Sequence, residues 1–138
     1  MAEQETETPK RKVVIDRQKW CRRKADKSYH LEHQYPYKLR PGVPINAGSK
    51  LLTSQGGMCC LGFLSKQILG CADGDILGVN FPDRELLDKF GLGSLNALKC
   101  AQLNDCPSYP FEAMSDADQE AAIAAEFAKA GLETEFIN

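Results

Sequence analysis

Apolar positions gather most densely along Met58-Cys59-Cys60-Leu61-Gly62-Phe63-Leu64-Ser65-Lys66-Gln67-Ile68-Leu69-Gly70. Cys60, Leu61, Leu64 and Ile68 fall at helical spacing on one face. Met58, Cys59, Phe63 and Leu69 widen that face until only Ser65, Lys66 and Gln67 look made for water. The breaker pair Gly56-Gly57 precedes the run, and Gly70 follows it in the place of a left-handed residue past a helix end. The pattern predicts a short central helix, buried on most sides. Gly62 inside it costs about 1 kcal/mol relative to Ala, which points to close approach of another backbone or a ligand.

The flanking pattern predicts the rest of the domain. Val13-Val14-Ile15 reads as a short strand. Asp16 is placed to cap a short helix from Arg17 to about Lys24, with Trp20 as a core anchor. Lys50 to Thr53 and Ile76 to Val79 read as extended pieces. Pro82-Asp83 opens a helix through Phe90, with Leu86, Leu87 and Phe90 as its buried stripe and Gly91 as its stop. A further helical stretch runs from Asn96 to Leu103. Ser115 caps the best-defined helix, which has Asp116, Asp118 and Glu120 at its positive end, Ile123 and Phe127 on its core face, and Gly131 after Ala130. Leu132 to Ile137 alternates as a strand with one solvated face and is placed to pair with Val13 to Ile15. The expected fold is α+β, a small sheet of roughly two or three short strands packed with about four helices around the buried Cys-Cys helix.

Composition sets the boundaries. Of 138 residues, 43% are apolar and 26% charged, the balance of an ordinary soluble domain. Residues 1–10 read as a disordered polar tail, and residues 11–138 as one domain in which 25–49 is an irregular insertion rich in Tyr and Pro. No apolar run approaches the ~20 residues that span a bilayer, and Met1 to Lys12 holds no secretory segment. The expectation is a cytoplasmic protein with no membrane partner. The six cysteines, two of them adjacent, then read as reduced thiols acting as small hydrophobes.

Charge is distributed unevenly. Residues 9–40 carry eleven Lys/Arg against three acids, whereas residues 41–138 carry six basic against thirteen acidic groups. A basic arm of this kind either attracts nucleic acid or phosphate or folds against the acidic remainder, and the second is the simpler reading.

Three chemistries compete for the remaining residues. His30 and His33 with the scattered Cys71, Cys100 and Cys106 match no tetrahedral ligand spacing, so neither a metal nor a cofactor is assigned. Cys59 or Cys60 would gain reactivity at a helix N-terminus, with His30 or His33 as base and Asn104 or Asp105 as orienting group. Leu61 and Phe63 beside them point instead to burial and inert thiols. The run Ser54-Gln55-Gly56-Gly57 would offer backbone amides to a phosphate, although a plain turn explains the glycine pair more simply. A ligand site is accordingly expected at Arg17, Arg22, Lys50, Gly56 and Gly57, with Tyr29 or Tyr37 stacked beside it and with Arg22 and Lys50 outside the core.

Ile15-Asp16-Arg17 with Trp20, Gly57-Met58-Cys59-Cys60-Leu61-Gly62-Phe63, Asp75-Ile76-Leu77, Leu103-Asn104-Asp105 and the closing Ala130-Gly131-Leu132-Glu133-Thr134-Glu135-Phe136-Ile137 occur in this order. Together they resemble a group of small, largely uncharacterised bacteriophage and prophage proteins. The resemblance spans residues 13–138 and implies origin and compartment, without a cofactor or catalytic residue. It implies an accessory protein that binds a host protein or a small anionic ligand in the host cytoplasm. A nucleic-acid-binding protein and a cysteine-dependent enzyme are the alternatives.

Overall fold

Two strands from opposite ends of the sequence pair in parallel: β1 (Arg11–Asp16) and β2 (Leu132–Ile137), with Val13 opposite Thr134 and Ile15 opposite Phe136. The computed structural model describes residues 11–22, 50–53, 56–105 and 114–138. Val13 and Ile15 turn to one face of β1 and are fully buried, as a period of two requires. Between the strands lie α1 (Cys60–Gln67), α2 (Asp73–Ile76), α3 (Arg84–Lys89), α4 (Ala97–Asp105) and α5 (Asp116–Lys129). The architecture is a small α+β fold, as the pattern predicts.

The central helix is shorter than its apolar run. Cys59 is extended at its N-cap, Ile68 closes it, and Gly70 is left-handed at φ 71°. Of the three residues expected to face water, Ser65 does not. It is fully buried, and its hydroxyl donates to the Leu61 carbonyl one turn back at 2.8 Å, so the helix itself satisfies the polar atom. Gln67 is exposed yet committed. Its Oε1 accepts from the Val14 amide at 2.7 Å and its Nε2 donates to the Val14 carbonyl at 2.8 Å. The side chain thus covers the free edge of β1 as a third strand would. Gly62 marks the close approach anticipated for it, where a Cβ would stand 1.9 Å from the Leu51 carbonyl oxygen.

Three local expectations give way to tertiary pairing. The helix expected from Arg17 to Lys24 does not form over its described residues, 17–22: Arg17–Lys19 form a turn, with the Asp16 carboxylate accepting from the Gln18 amide at 2.9 Å. The backbone then pairs across the fold, Cys21 N with Met58 O at 2.8 Å and Met58 N with Lys19 O at 3.0 Å. Those bonds use the groups a helix would need. Leu52 contributes one bridge, to Leu77, rather than a strand. Ile76 closes α2 instead of extending, because Asp75 reaches back to the Ala72 amide at 3.0 Å and starts a helical turn.

The other helices begin and end where their signals stand. Asp83 caps α3 by accepting from the Glu85 amide at 2.9 Å, and Ser115 caps α5 by accepting from the Asp118 amide. Leu87 is the buried centre of the α3 stripe, with Leu86 and Phe90 packed half-buried against the core. The core joins Trp20, Leu61, Leu64, Leu103, Ile123 and Phe127, all buried. Each such large side chain contributes about 1.5–3 kcal/mol on leaving water. No helix among the described residues is long and apolar enough to cross a membrane.

Candidate functional site

The start of α1 is where the sequence concentrates its candidate chemistry. Gly56 N donates to Thr53 O at 3.0 Å, Gly57 N to Thr53 Oγ1 at 2.9 Å and Met58 N to Lys19 O at 3.0 Å. Cys59 N donates to Lys50 O at 3.2 Å and Cys60 N to Asn104 Oδ1 at 3.0 Å. Each of these five amides is committed within the protein, while Ser54 and Gln55 lie outside the described residues, and Gly56 enables a structural turn at φ 90°.

The arginines are likewise engaged. Arg17 binds the Glu120 carboxylate through Nε at 2.9 Å and Nη2 at 2.7 Å. Arg22 reaches the same carboxylate through Nη1 at 2.7 Å, donates Nε to Gln119 Oε1 at 2.8 Å and lies 4.1 Å over the Trp20 ring. Arg22 is only 4% exposed, which corrects the expectation that it stands outside the core. Its guanidinium is sheltered because α5 supplies the carboxylate, the amide and the Asp116 carbonyl together. The fold therefore brings Arg17 and Arg22 together on Glu120. It places Lys50 elsewhere, with Nζ on Asn80 Oδ1 at 2.7 Å. Arg11 binds the Phe90 carbonyl and Lys12 binds Glu135, so much of the described basic arm folds against the rest of the chain. Tyr29, Tyr37, His30, His33 and Cys106 lie outside the described residues, as do residues 1–10 and 25–49.

The thiols of the Cys-Cys motif are sealed. Cys59 and Cys60 are 3% and 0% exposed, and both are free. Burial, aided by the nearby Asp105 carboxylate, pushes the Cys59 thiol up to about 12. Burial likewise pushes Cys60 well above its ordinary value and Cys100 to about 12. A nucleophilic cysteine needs the opposite shift. Asn104, considered above as an orienting group, is fully buried and structural. It accepts from Trp20 Nε1 and Cys60 N and donates to Cys21 O and Asp105 Oδ1. Among the described residues no group of three or more His, Cys, Asp or Glu is arranged to hold a metal ion.

An accessible site lies between Leu51, α2 and the start of α3. A cleft of about 480 Å³ has Leu51, Ile76 and Leu86 among its apolar lining. Val79 and Phe81 extend that lining, and Asp75 and Asp83 add carboxylates. Its size falls within the range of about 300–1,000 Å³ usual for ligand pockets. Val79 and Phe81 are 38% and 44% exposed, and Leu77, close to them in the chain, is 52% exposed. The sequence carries one trace of this site, the spacing of Leu77, Val79 and Phe81 at every second residue. On one strand that spacing suggests a common face, but it shows no partner for that face.

No protein-family model, curated protein or solved structure matches the chain.

Proposed function

We propose that this protein acts by binding rather than by chemical transformation, as a phage-type accessory protein that engages a host protein in the bacterial cytoplasm. The open apolar cleft beside the exposed Phe81 carries this reading, because large apolar side chains left on a surface mark sites of association. The resemblance to phage proteins supports the host setting. The enzyme alternative has less support, since the thiols of the Cys-Cys motif are buried and held protonated. A small anionic ligand at Arg17 and Arg22 also has less support, since the two guanidiniums share the Glu120 carboxylate and the Asp116 carboxylate stands 3.9 Å from Arg22. For nucleic acid, the described basic residues Lys12, Arg17 and Arg22 are paired to carboxylates of the same chain.

The test is photo-crosslinking in a bacterial host, with a benzophenone amino acid in place of Val79 and, as a control, in place of the exposed Ala125 on α5. The expected result is a discrete adduct to one host protein from position 79 alone, reproduced with the two purified proteins. Identical diffuse adducts from both positions, or none from position 79, would count against the binding reading.

A further inference from the structure

We infer that the cleft lined by Leu51, Ile76, Val79, Phe81 and Leu86 receives a segment of a partner protein in which a bulky apolar side chain stands beside lysine or arginine. This inference rests on the binding reading above and adds the chemistry of the partner.

The apolar half follows from the lining. The cleft volume of about 480 Å³ accommodates an aromatic or large aliphatic side chain, and burial of such anchors dominates the energetics of protein interfaces. The basic half follows from charge. Asp75 and Asp83 line the cleft, and among the described residues no Lys or Arg does. Asp75 is fixed by one oxygen on the Ala72 amide, and Asp83 by one oxygen on the Glu85 amide. A carboxylate accepts several donors at once, so both remain able to receive a cation. Their field reaches inside: the Cys71 thiol, also in the lining, is pushed up by burial and then by Asp75 and Asp83.

The local cations do not cancel this field. Lys66 is joined to Asp73 in an ion pair. Arg84 turns to Gly93 O at 2.8 Å and to Asp88, and Lys50, whose ammonium keeps its charge, is directed to Asn80 and is not part of the lining, which among the described residues holds no Lys or Arg. A peptide segment is favoured over a small cation because Val79 and Phe81 in the lining remain 38% and 44% exposed, with the 52% exposed Leu77 two residues before Val79 in the chain. A small molecule filling the cleft would leave much of this apolar surface wet, whereas a chain crossing the mouth covers it.

The experiment is selection of a random dodecapeptide display library against the full chain, followed by affinity measurement with the enriched synthetic peptides. The expected peptides carry an aromatic or large aliphatic residue adjacent to Lys or Arg. Their affinity should fall about tenfold in Asp75→Asn combined with Asp83→Asn, and fall with added salt. Asparagine keeps the oxygen acceptor at both backbone-bonded positions, so the fold is retained, and an unchanged melting curve checks this. Phe81→Ala should weaken the same peptides without changing their charge preference. Enrichment of acidic or uncharged peptides, no enrichment, or unchanged affinity in the double variant would overturn the inference. So would benzylammonium binding the cleft as tightly as the peptides, or a dimer in sedimentation that Phe81→Asp dissolves, since a small cation or a second copy would then be the occupant. A host adduct from position 79 together with acidic peptides would sink this inference and leave the binding reading standing. Basic-apolar peptides without any host adduct would count against the host setting of the binding reading alone and leave the chemistry of the cleft standing.

Discussion

Trp20 donates its indole N–H to Asn104 Oδ1 at 2.6 Å, and both residues are fully buried. The same oxygen accepts the first amide of α1, from Cys60, while the Asn104 side-chain nitrogen donates to Cys21 O and Asp105 Oδ1. One side chain on α4 therefore satisfies groups from the segment after β1 and from the head of the central helix. Gln119 extends the network from α5 by donating to the Leu103 and Asn104 carbonyls. Buried polar groups are costly unless paired, so this network binds the elements to a single arrangement.

Asn104→Leu should consequently be among the most destabilising single changes in the domain. It leaves the Trp20 indole, the Cys60 amide and the Cys21 carbonyl without this partner. Each abandoned group costs about 1–3 kcal/mol, so a loss of several kcal/mol is expected. Urea denaturation followed by the fluorescence of Trp20 measures it. A loss no larger than that of an exposed control such as Leu98→Ala would show that the network is dispensable.

Gly62→Ala tests the close approach of α1 to Leu51 by its sign. Helix propensity alone favours alanine by about 1 kcal/mol. The new Cβ, however, would stand 1.9 Å from the Leu51 carbonyl oxygen and 2.9 Å from Met58 Cβ. Backbone cannot withdraw as a flexible side chain can, and overpacking of this kind costs about 1–3 kcal/mol. Net destabilisation is expected in thermal melts, and stabilisation would contradict the packing.

Gly62 also shows what is readable in one dimension. A glycine in an otherwise apolar helical run is unfavourable locally, so its presence points to a neighbour, though only the fold identifies Leu51. Ser115, Asp83 and the alternation of β2 were legible because their signals are local. The helix expected after Asp16 failed although its capping signal is genuine: the carboxylate does accept from Gln18. Pairing with Met58 from a distant part of the chain overrides it. The burial of Arg22 is hidden from the sequence for the same reason, because its shelter comes from Gln119 and Glu120, far along the chain. The cleft is less legible still, since Leu51, Ile76 and Leu86 share no period and meet only after folding.

Thiol labelling should divide the cysteines by burial. Cys71 in the cleft is partly exposed, whereas Cys59, Cys60 and Cys100 are buried and protonated. Iodoacetamide on the native protein, read by peptide mapping, should modify Cys71 first and reach the other three only when the protein is unfolded. Equal rates at Cys59 and Cys71 would reopen the enzyme alternative. Cys60→Ser should cost about 1–3 kcal/mol, because the buried thiol donates to the Cys100 carbonyl at 3.6 Å, a sulfur-length contact that the shorter C–O bond of serine does not reproduce.

Acid should weaken the contact between the turn after β1 and α5. Burial raises the pKa of Glu120, but hydrogen bonds and charge from Arg17 and Arg22 together outweigh it and hold the carboxyl below its ordinary value. A folded-state pKa below the unfolded one, ~4.3 for glutamate, adds stability that is present above that value and lost as pH falls through the folded pKa. Glu126, also lowered, with Lys129 the leading cause, acts in the same direction. Glu120→Gln isolates the first contribution, because Glu126 is common to both proteins and drops out of the comparison. At neutral pH the variant should be clearly less stable, having lost its ion pairs to the half-exposed Arg17 and the buried Arg22. As the pH is taken well below ~4.3, the wild-type carboxyl protonates and the difference should shrink. Urea midpoints for the two proteins across the acid range measure this, and a gap that stays constant would show that Glu120 is not held ionised by the two arginines.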